Sequence, residues 1–83
     1  MSEKTFKQIT SEIAVLEDFR RDCRQHSRSL ETLSMEIDPS LILSAHIHAA
    51  IGSLMLLGAS IQRDISLAER ELRERYKADN RRH

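Results

Sequence analysis

His46 and His48 are the first residues in this sequence whose type and spacing could do chemistry. Two residues that are two apart on a helix point about 200° away from each other, so these imidazoles cannot share one metal ion. Helical histidine pairs that bind zinc stand four residues apart. We therefore predict no metal site and interpret both histidines as polar residues at a partly exposed end of a helix.

Cys23 and His26 are three residues apart and share one face of a helix. A catalytic Cys–His pair also needs a third group that orients the histidine and a pocket for the substrate. A fold of two helices supplies no evident pocket, so we interpret the pair as packing residues. The sequence also has no phosphate-binding loop motif. We predict a protein that is not an enzyme and binds no cofactor.

Arg20, Arg24 and Arg28 form a row of positive charge at intervals of four residues. Such a row could bind phosphate or an acidic partner. The chain as a whole has 13 basic and 13 acidic residues, whereas nucleic-acid binders usually have a basic excess. We interpret the row as a solvated helix face, and docking on nucleic acid through it is the weakest of the functional alternatives. Its charge is partly neutralised by Glu17, Asp18, Asp22 and Glu31.

The single cysteine and the polar first residues bear on the compartment. One cysteine excludes an internal disulfide and favours a reducing environment. The segment 1–7 is polar and mixed in charge, unlike a secretory signal peptide. We expect a cytoplasmic protein.

The elements that must position these residues are helices, because 83 residues with two glycines and one proline do not suit a fold of short strands. The length predicts one domain over residues 1–83. A first helix is predicted over about 5–36, with Thr5 and Gln8 forming a capping box at its start. Its apolar face is weakest over 20–29. That face repeats in steps of three and four, through Phe6, Ile9, Ile13, Leu16, Phe19, Cys23, His26, Leu30, Leu33 and Ile37.

Asp38 and Pro39 mark the end of the first helix and the start of the second. Proline disfavours helical geometry at the preceding residue, and it suits the first position of a helix that an aspartate caps. We predict a turn at 37–39 and a second helix over about 39–78. So short a connection makes the helices antiparallel neighbours, with residue i opposite residue 76 − i. The predicted fold is an all-α, coiled-coil-like, two-helix hairpin.

The second helix is apolar on every side over 41–61, where it has no Asp, Glu, Lys or Arg. One partner helix covers one face only, so a hairpin alone would leave a large apolar surface in water. We predict that self-association or a protein partner completes the hairpin to a bundle. The residues predicted to meet another chain are Ile47, Ile51, Leu54, Met55 and Leu57.

A different class of protein is the alternative. Segment 41–61 is 21 residues long without a formal charge, which is enough to span a bilayer. A small single-pass membrane protein is therefore the second hypothesis. Polar residues within the segment, among them His46 and Ser53, and the complementary apolar face of the first helix favour the soluble hairpin.

Several short motifs lie along most of the chain, namely Leu16-Glu17-Asp18, Asp38-Pro39, Ala68-Glu69 and Arg75-Tyr76-Lys77. Together they resemble the small helical-hairpin co-chaperones of type III secretion needle subunits. That resemblance implies a cytoplasmic helper that shields an aggregation-prone secreted helix. From the residues themselves we expect a non-enzymatic interaction module, an adaptor or chaperone-like subunit that buries an apolar helix face against a helical partner.

Overall fold

The computed structural model describes residues 4–81, with the side chains of residues 4–78. Two helices, α1 (Phe6–Glu36) and α2 (Ile42–Arg81), lie side by side in an elongated hairpin of 65 × 19 × 17 Å. The predicted all-α helical hairpin is confirmed. Residues 1–3 and 82–83 of the predicted domain lie outside the described residues.

The start of α1 is fixed by the capping box that the sequence predicts. The Gln8 backbone N–H donates to the Thr5 hydroxyl oxygen at 3.1 Å, and the Thr5 N–H donates to the Gln8 side-chain oxygen at 2.7 Å. These bonds satisfy two backbone donors that a helix start leaves without partners. The helix then continues through 20–29 without a break, as predicted, and Ile37 ends it in an extended conformation.

The connection is longer than predicted, because α2 begins at Ile42 and not at Pro39. The Asp38 carboxylate accepts the Ser40 N–H at 3.0 Å and the Ser40 hydroxyl at 2.8 Å. The Leu41 N–H then donates to the Asp38 carbonyl oxygen at 3.1 Å and closes a four-residue turn. Asp38 therefore organises a local turn, as short polar side chains often do, before helical geometry is established.

The seam between the helices follows a strict alternation of three- and four-residue steps along α2. Its core is a cluster of Cys23, Ile61 and Ile65, with Leu16 and Leu54 packed against it. The α2 residues that are buried or half-buried along this line are Ser44, Ile47, Ile51, Leu54, Gly58, Ile61, Ile65 and Ala68. This alternation is the coiled-coil pattern, so one stripe of α2 faces α1 along the length of the hairpin.

At every second position of the seam, the α1 residue that faces α2 is not the predicted one. Arg20, Ser27 and Ser34 are half-buried, whereas Phe19 and His26 are exposed. Leu33 is exposed as well. Both sets keep steps of three and four with Cys23 and Leu30, so the spacing alone does not choose between them. The Arg20 guanidinium donates to the Gln62 side chain across the seam, which stabilises the observed set. Large apolar side chains are thereby left along one edge of α1.

The turn gives a prediction on pH dependence. The hydrogen bonds from Ser40 hold the pKa of Asp38 below its usual value of 3.8. A carboxylate with a lowered pKa stabilises the fold above its unfolded pKa, and that contribution is lost as pH falls through the folded pKa. Asp38→Asn keeps an acceptor oxygen but cannot titrate. We expect the Tm difference between wild type and Asp38→Asn to shrink when pH falls from about 7 to about 2.

Asp38→Ala, which removes the acceptor, should have a lower Tm at pH 7 than Asp38→Asn, as measured by circular dichroism. Equal Tm values for wild type and both variants at every pH would show that the Asp38–Ser40 turn does not stabilise the hairpin.

Candidate protein-interaction surface

The largest feature that the hairpin leaves uncovered is the apolar surface of α2. Met55, Leu56 and Leu57 are 67%, 73% and 52% exposed. Ile42 and Leu43, near the turn, are 78% and 54% exposed. In the 18-residue window that makes α2 apolar enough to cross a membrane, only 11% is buried. The predicted mismatch between a helix that is apolar all round and a single partner helix is therefore present in the structure.

The five residues predicted to meet another chain divide into two groups. Ile47 is only 5% exposed and is covered within the hairpin, whereas Leu54 packs on the core cluster but stays half-buried, so its contact with another chain stays a prediction. Both lie in the stripe that faces α1. Ile51 is half-buried in the same stripe, whereas Met55 and Leu57 are exposed on its two flanks. For Met55 and Leu57, contact with another chain stays a prediction.

Leu56 is an exposed residue in the middle of α2 that sequence reasoning missed. Leu56 comes two residues after Leu54 and two residues before Gly58, both of which face the seam. Because residues two apart on a helix point about 200° away from each other, Leu56 lies on the side of α2 opposite the seam. A helical wheel centred on the buried stripe would have placed it there. The sequence prediction did not fix which stripe of segment 41–61 is covered by α1, so it did not single out Leu56.

Cys23 divides the middle of the seam into two open grooves. Its buried thiol donates to the Leu54 carbonyl oxygen at 3.1 Å. On one side lies a groove of about 270 Å³, lined by Phe19, Asp22, Cys23, His26, Leu54, Leu57 and Ile61. We call this the apolar groove. Phe19 and Leu57 lie on its two rims, in agreement with the predicted pairing of these residues.

The groove on the other side has a different chemistry. It measures about 440 Å³ and is lined by Arg20, Arg24, Arg28 and Glu31 together with Met55, Gly58 and Gln62, among others. We call this the arginine groove. The predicted arginine row therefore borders the seam, with Arg24 and Arg28 exposed to solvent and Arg20 half-buried. Acidic neighbours accompany it, with Arg21 paired to Asp18 at 3.1 Å.

An acidic site lies at the open end of the hairpin, on the same side as the apolar groove. It is lined by Lys4, Glu12, Asp64, Leu67, Ala68 and Glu71. The Lys4 ammonium is 2.7 Å from a Glu12 carboxylate oxygen. The hydrogen bond and charge of Glu12, with a smaller contribution from Glu71, raise the pKa of Lys4. A cation is thus already favoured at this end of the hairpin.

The residues considered for catalysis and metal binding are not brought together. His46 and His48 are both exposed, and His26 is exposed while Cys23 is buried. Within residues 4–78, no group of three or more His, Cys, Asp or Glu side chains is arranged to hold a metal ion. What the described arrangement offers is surface for another molecule, namely two grooves and an uncovered helix face.

Comparison of the chain with protein-family models, with curated proteins and with solved structures found no match in any of the three.

The contrast between the seam and the uncovered side of α2 gives a prediction on stability. Ile65 is 3% exposed, so Ile65→Ala should lower the free energy of unfolding by about 2–4 kcal/mol through lost burial and a cavity. Leu56→Ala should change it by no more than about 0.5 kcal/mol, as for other exposed positions. Urea denaturation of dilute protein measures both. A cost at Leu56 as large as that at Ile65 would show that Leu56 is covered in solution.

Proposed function

We propose that this chain is a non-enzymatic protein-interaction module, an adaptor or chaperone-like subunit. It buries the exposed apolar surface of α2 against a helix of a protein partner. The observation that carries the proposal is the exposure of Met55, Leu56 and Leu57 in the middle of α2, a run of three large apolar side chains that α1 does not cover.

The total surface of the hairpin supports a missing partner. Its accessible surface is 6840 Å². A compact monomer of 9.6 kDa has about 5,100 Å². The excess of about 1,700 Å² exceeds the roughly 800 Å² that each partner contributes to a standard interface. A third or fourth helix packed along the hairpin would therefore cover an area of the size that specific complexes bury.

The mechanism that fits this surface is shielding. A partner helix that is apolar on one side aggregates when free in water, because its apolar stripe has no cover. The hairpin offers the second half of a bundle to such a helix and needs no chemistry to do so. The resemblance to type III secretion co-chaperones supports this form of the proposal. In that form the module acts in the cytoplasm on a secreted helical subunit.

A single-pass membrane protein with its span at 41–61 is the second candidate, and one observation favours it. Residues Ile42–Ala78 of α2 include a stretch that is long and apolar enough to cross a bilayer, and little of that stretch is buried. The neighbouring helix argues against it. Arg20, Arg24 and Arg28 of α1 lie alongside this segment in the hairpin, and charged side chains in a bilayer interior are costly. Insertion would therefore require α1 to leave the seam.

The shielding proposal predicts the effect of charge on the uncovered surface. The probe is a designed 21-residue amphipathic helix with a leucine stripe and glutamine flanks, and its binding is measured by isothermal titration calorimetry. A Met55→Glu/Leu56→Glu/Leu57→Glu variant should lose at least about tenfold in affinity, because each glutamate would be desolvated in the complex. Since all three positions are exposed, helicity by circular dichroism should be unchanged.

The matched control is Val15→Glu/Tyr76→Glu, which places charge on exposed apolar residues that line neither groove nor the acidic site. Its affinity should stay within a few-fold of wild type. A wild-type chain that is monomeric in detergent-free buffer and binds no helical peptide would refute the interaction module. Solubility only in detergent would support the membrane protein instead.

A further inference from the structure

We propose that the partner of this module is an amphipathic helix with Lys or Arg at one end, and that it docks along the apolar groove and the acidic site beside it. The inference rests on the proposed function. It adds which side of the hairpin the partner helix occupies, which way that helix runs, and where its charged residues lie. Three observations carry it. These are the apolar edge that both helices contribute, the acidic site that continues it, and the lysine already held there.

The apolar edge follows from seven-residue repeats on the two helices. Phe19 and Leu33 stand fourteen residues apart on α1, and Leu43 and Leu57 stand fourteen residues apart on α2. Residues spaced by sevens lie on nearly the same face of a helix. Phe19 and Leu57 face each other across the groove, so Leu33 and Leu43 extend the same edge toward the turn. All four side chains are between 42% and 55% exposed.

The acidic site continues this edge in the opposite direction. Glu12 is seven residues before Phe19, while Asp64 and Glu71 are seven and fourteen residues after Leu57. All three carboxylates line one site at the open end. One side of the hairpin therefore changes from apolar near the turn to acidic near the open end.

Charge distinguishes this side from the other. Among the described residues that line the apolar groove and the acidic site, Lys4 is the only Lys or Arg. The arginine groove across the seam has three arginines on its rim. Electrostatic complementarity steers a partner and sets its register more than it sets total affinity. A helix with basic residues at one end is thus directed to the acidic side and oriented along it.

Lys4 shows how the acidic site receives a cation. Its ammonium is 2.7 Å from a Glu12 carboxylate oxygen, and Asp64 and Glu71 line the same site. Glu71 also pairs with Arg75, whose guanidinium is 3.8 Å from its carboxylate. Two cations therefore accompany three carboxylates, and the site keeps a net negative charge when Lys4 is in place. A Lys or Arg from a partner would neutralise it further.

The length of this side sets the length of the partner. From Leu33 to Glu12 is 21 residues of α1, or about 32 Å of helix. A partner helix of about 21 residues, or six turns, would cover it from the turn to the open end. Its leucine-like side chains would lie against Phe19 and Leu57, and its basic residues would reach the acidic site.

Two charged versions of the 21-residue leucine-stripe peptide test the inference on the full chain. One has lysines flanking the stripe in its last heptad, and the other has glutamates at the same positions. We expect the lysine peptide to bind at least about tenfold more tightly at 0.05 M salt, and most of that difference to disappear at 0.5 M salt as the charges are screened. Equal affinities at low salt would overturn the charge pattern.

Two pairs of matched variants test which side of the hairpin binds the partner helix. Leu57→Gln should weaken the lysine peptide by about tenfold, whereas Met55→Gln, on the arginine-groove flank, should change it less than about threefold. Asp64→Asn/Glu71→Gln should remove most of the preference for lysine over glutamate. Glu17→Gln/Glu31→Gln, which neutralises two carboxylates on the arginine side, should preserve that preference. The opposite pattern in either pair would place the partner on the other side and overturn the inference.

The remaining outcomes separate this inference from the proposed function. If the lysine, glutamate and glutamine peptides all bind alike and the triple glutamate variant loses all three, the module stands and the basic partner is wrong. If the chain is a dimer by analytical ultracentrifugation and Leu57→Gln makes it a monomer while no peptide binds, the occupant is a second copy. If it floats with phosphatidylcholine–phosphatidylglycerol vesicles and binds no peptide, the occupant is lipid.

Discussion

The rest of the structure depends on the seam between α1 and α2. The apolar area that this seam buries is restricted, because α1 has only one apolar stripe. The stripe covers Ile47, Ile61 and Ile65 and leaves the other sides of α2 in water. Since apolar burial stabilises a fold in proportion to the area removed from water, the uncovered sides represent stabilisation that the chain alone does not obtain. The hairpin thus combines a narrow internal core with a wide external apolar surface.

The middle of the hairpin is where this limit has the largest effect. Arg20 and Ser27 occupy positions on α1 where large apolar residues would pack in the seam, and grooves open on both sides of Cys23. The helices are nevertheless held together there by polar contacts, from Arg20 to Gln62 and from the Cys23 thiol to the Leu54 carbonyl oxygen. Polar contacts of this kind contribute little net stability but fix the relative positions of the helices. The result is a seam with a defined register and space at its flanks.

Sequence reasoning predicted the helical elements well, because they depend on local signals. The capping bonds of Thr5 and Gln8 and the extended conformation at Ile37 involve neighbouring residues, and composition excluded strands. The start of α2 was wrong by three residues, since Asp38 binds Ser40 in a turn where an immediate helix was expected. Which α1 residues face α2 could not be predicted, because Phe19 and Arg20 both fit the spacing of the seam. Only the three-dimensional packing decides which of them faces α2.

The division of the surface into sides follows from that choice of stripe. If Phe19 and Leu33 had packed in the seam, α1 would have lacked the apolar edge that lies beside Leu57. With Arg20 in the seam, Phe19 lies on a rim beside Leu57, and the arginines cluster at the other rim. This rotation of α1 places Phe19 and Glu12 on one side of the seam and the three arginines on the other, in a hairpin whose formal net charge is zero. A chain with no net charge thus has a local charge pattern, and selectivity for a charged partner depends on that pattern.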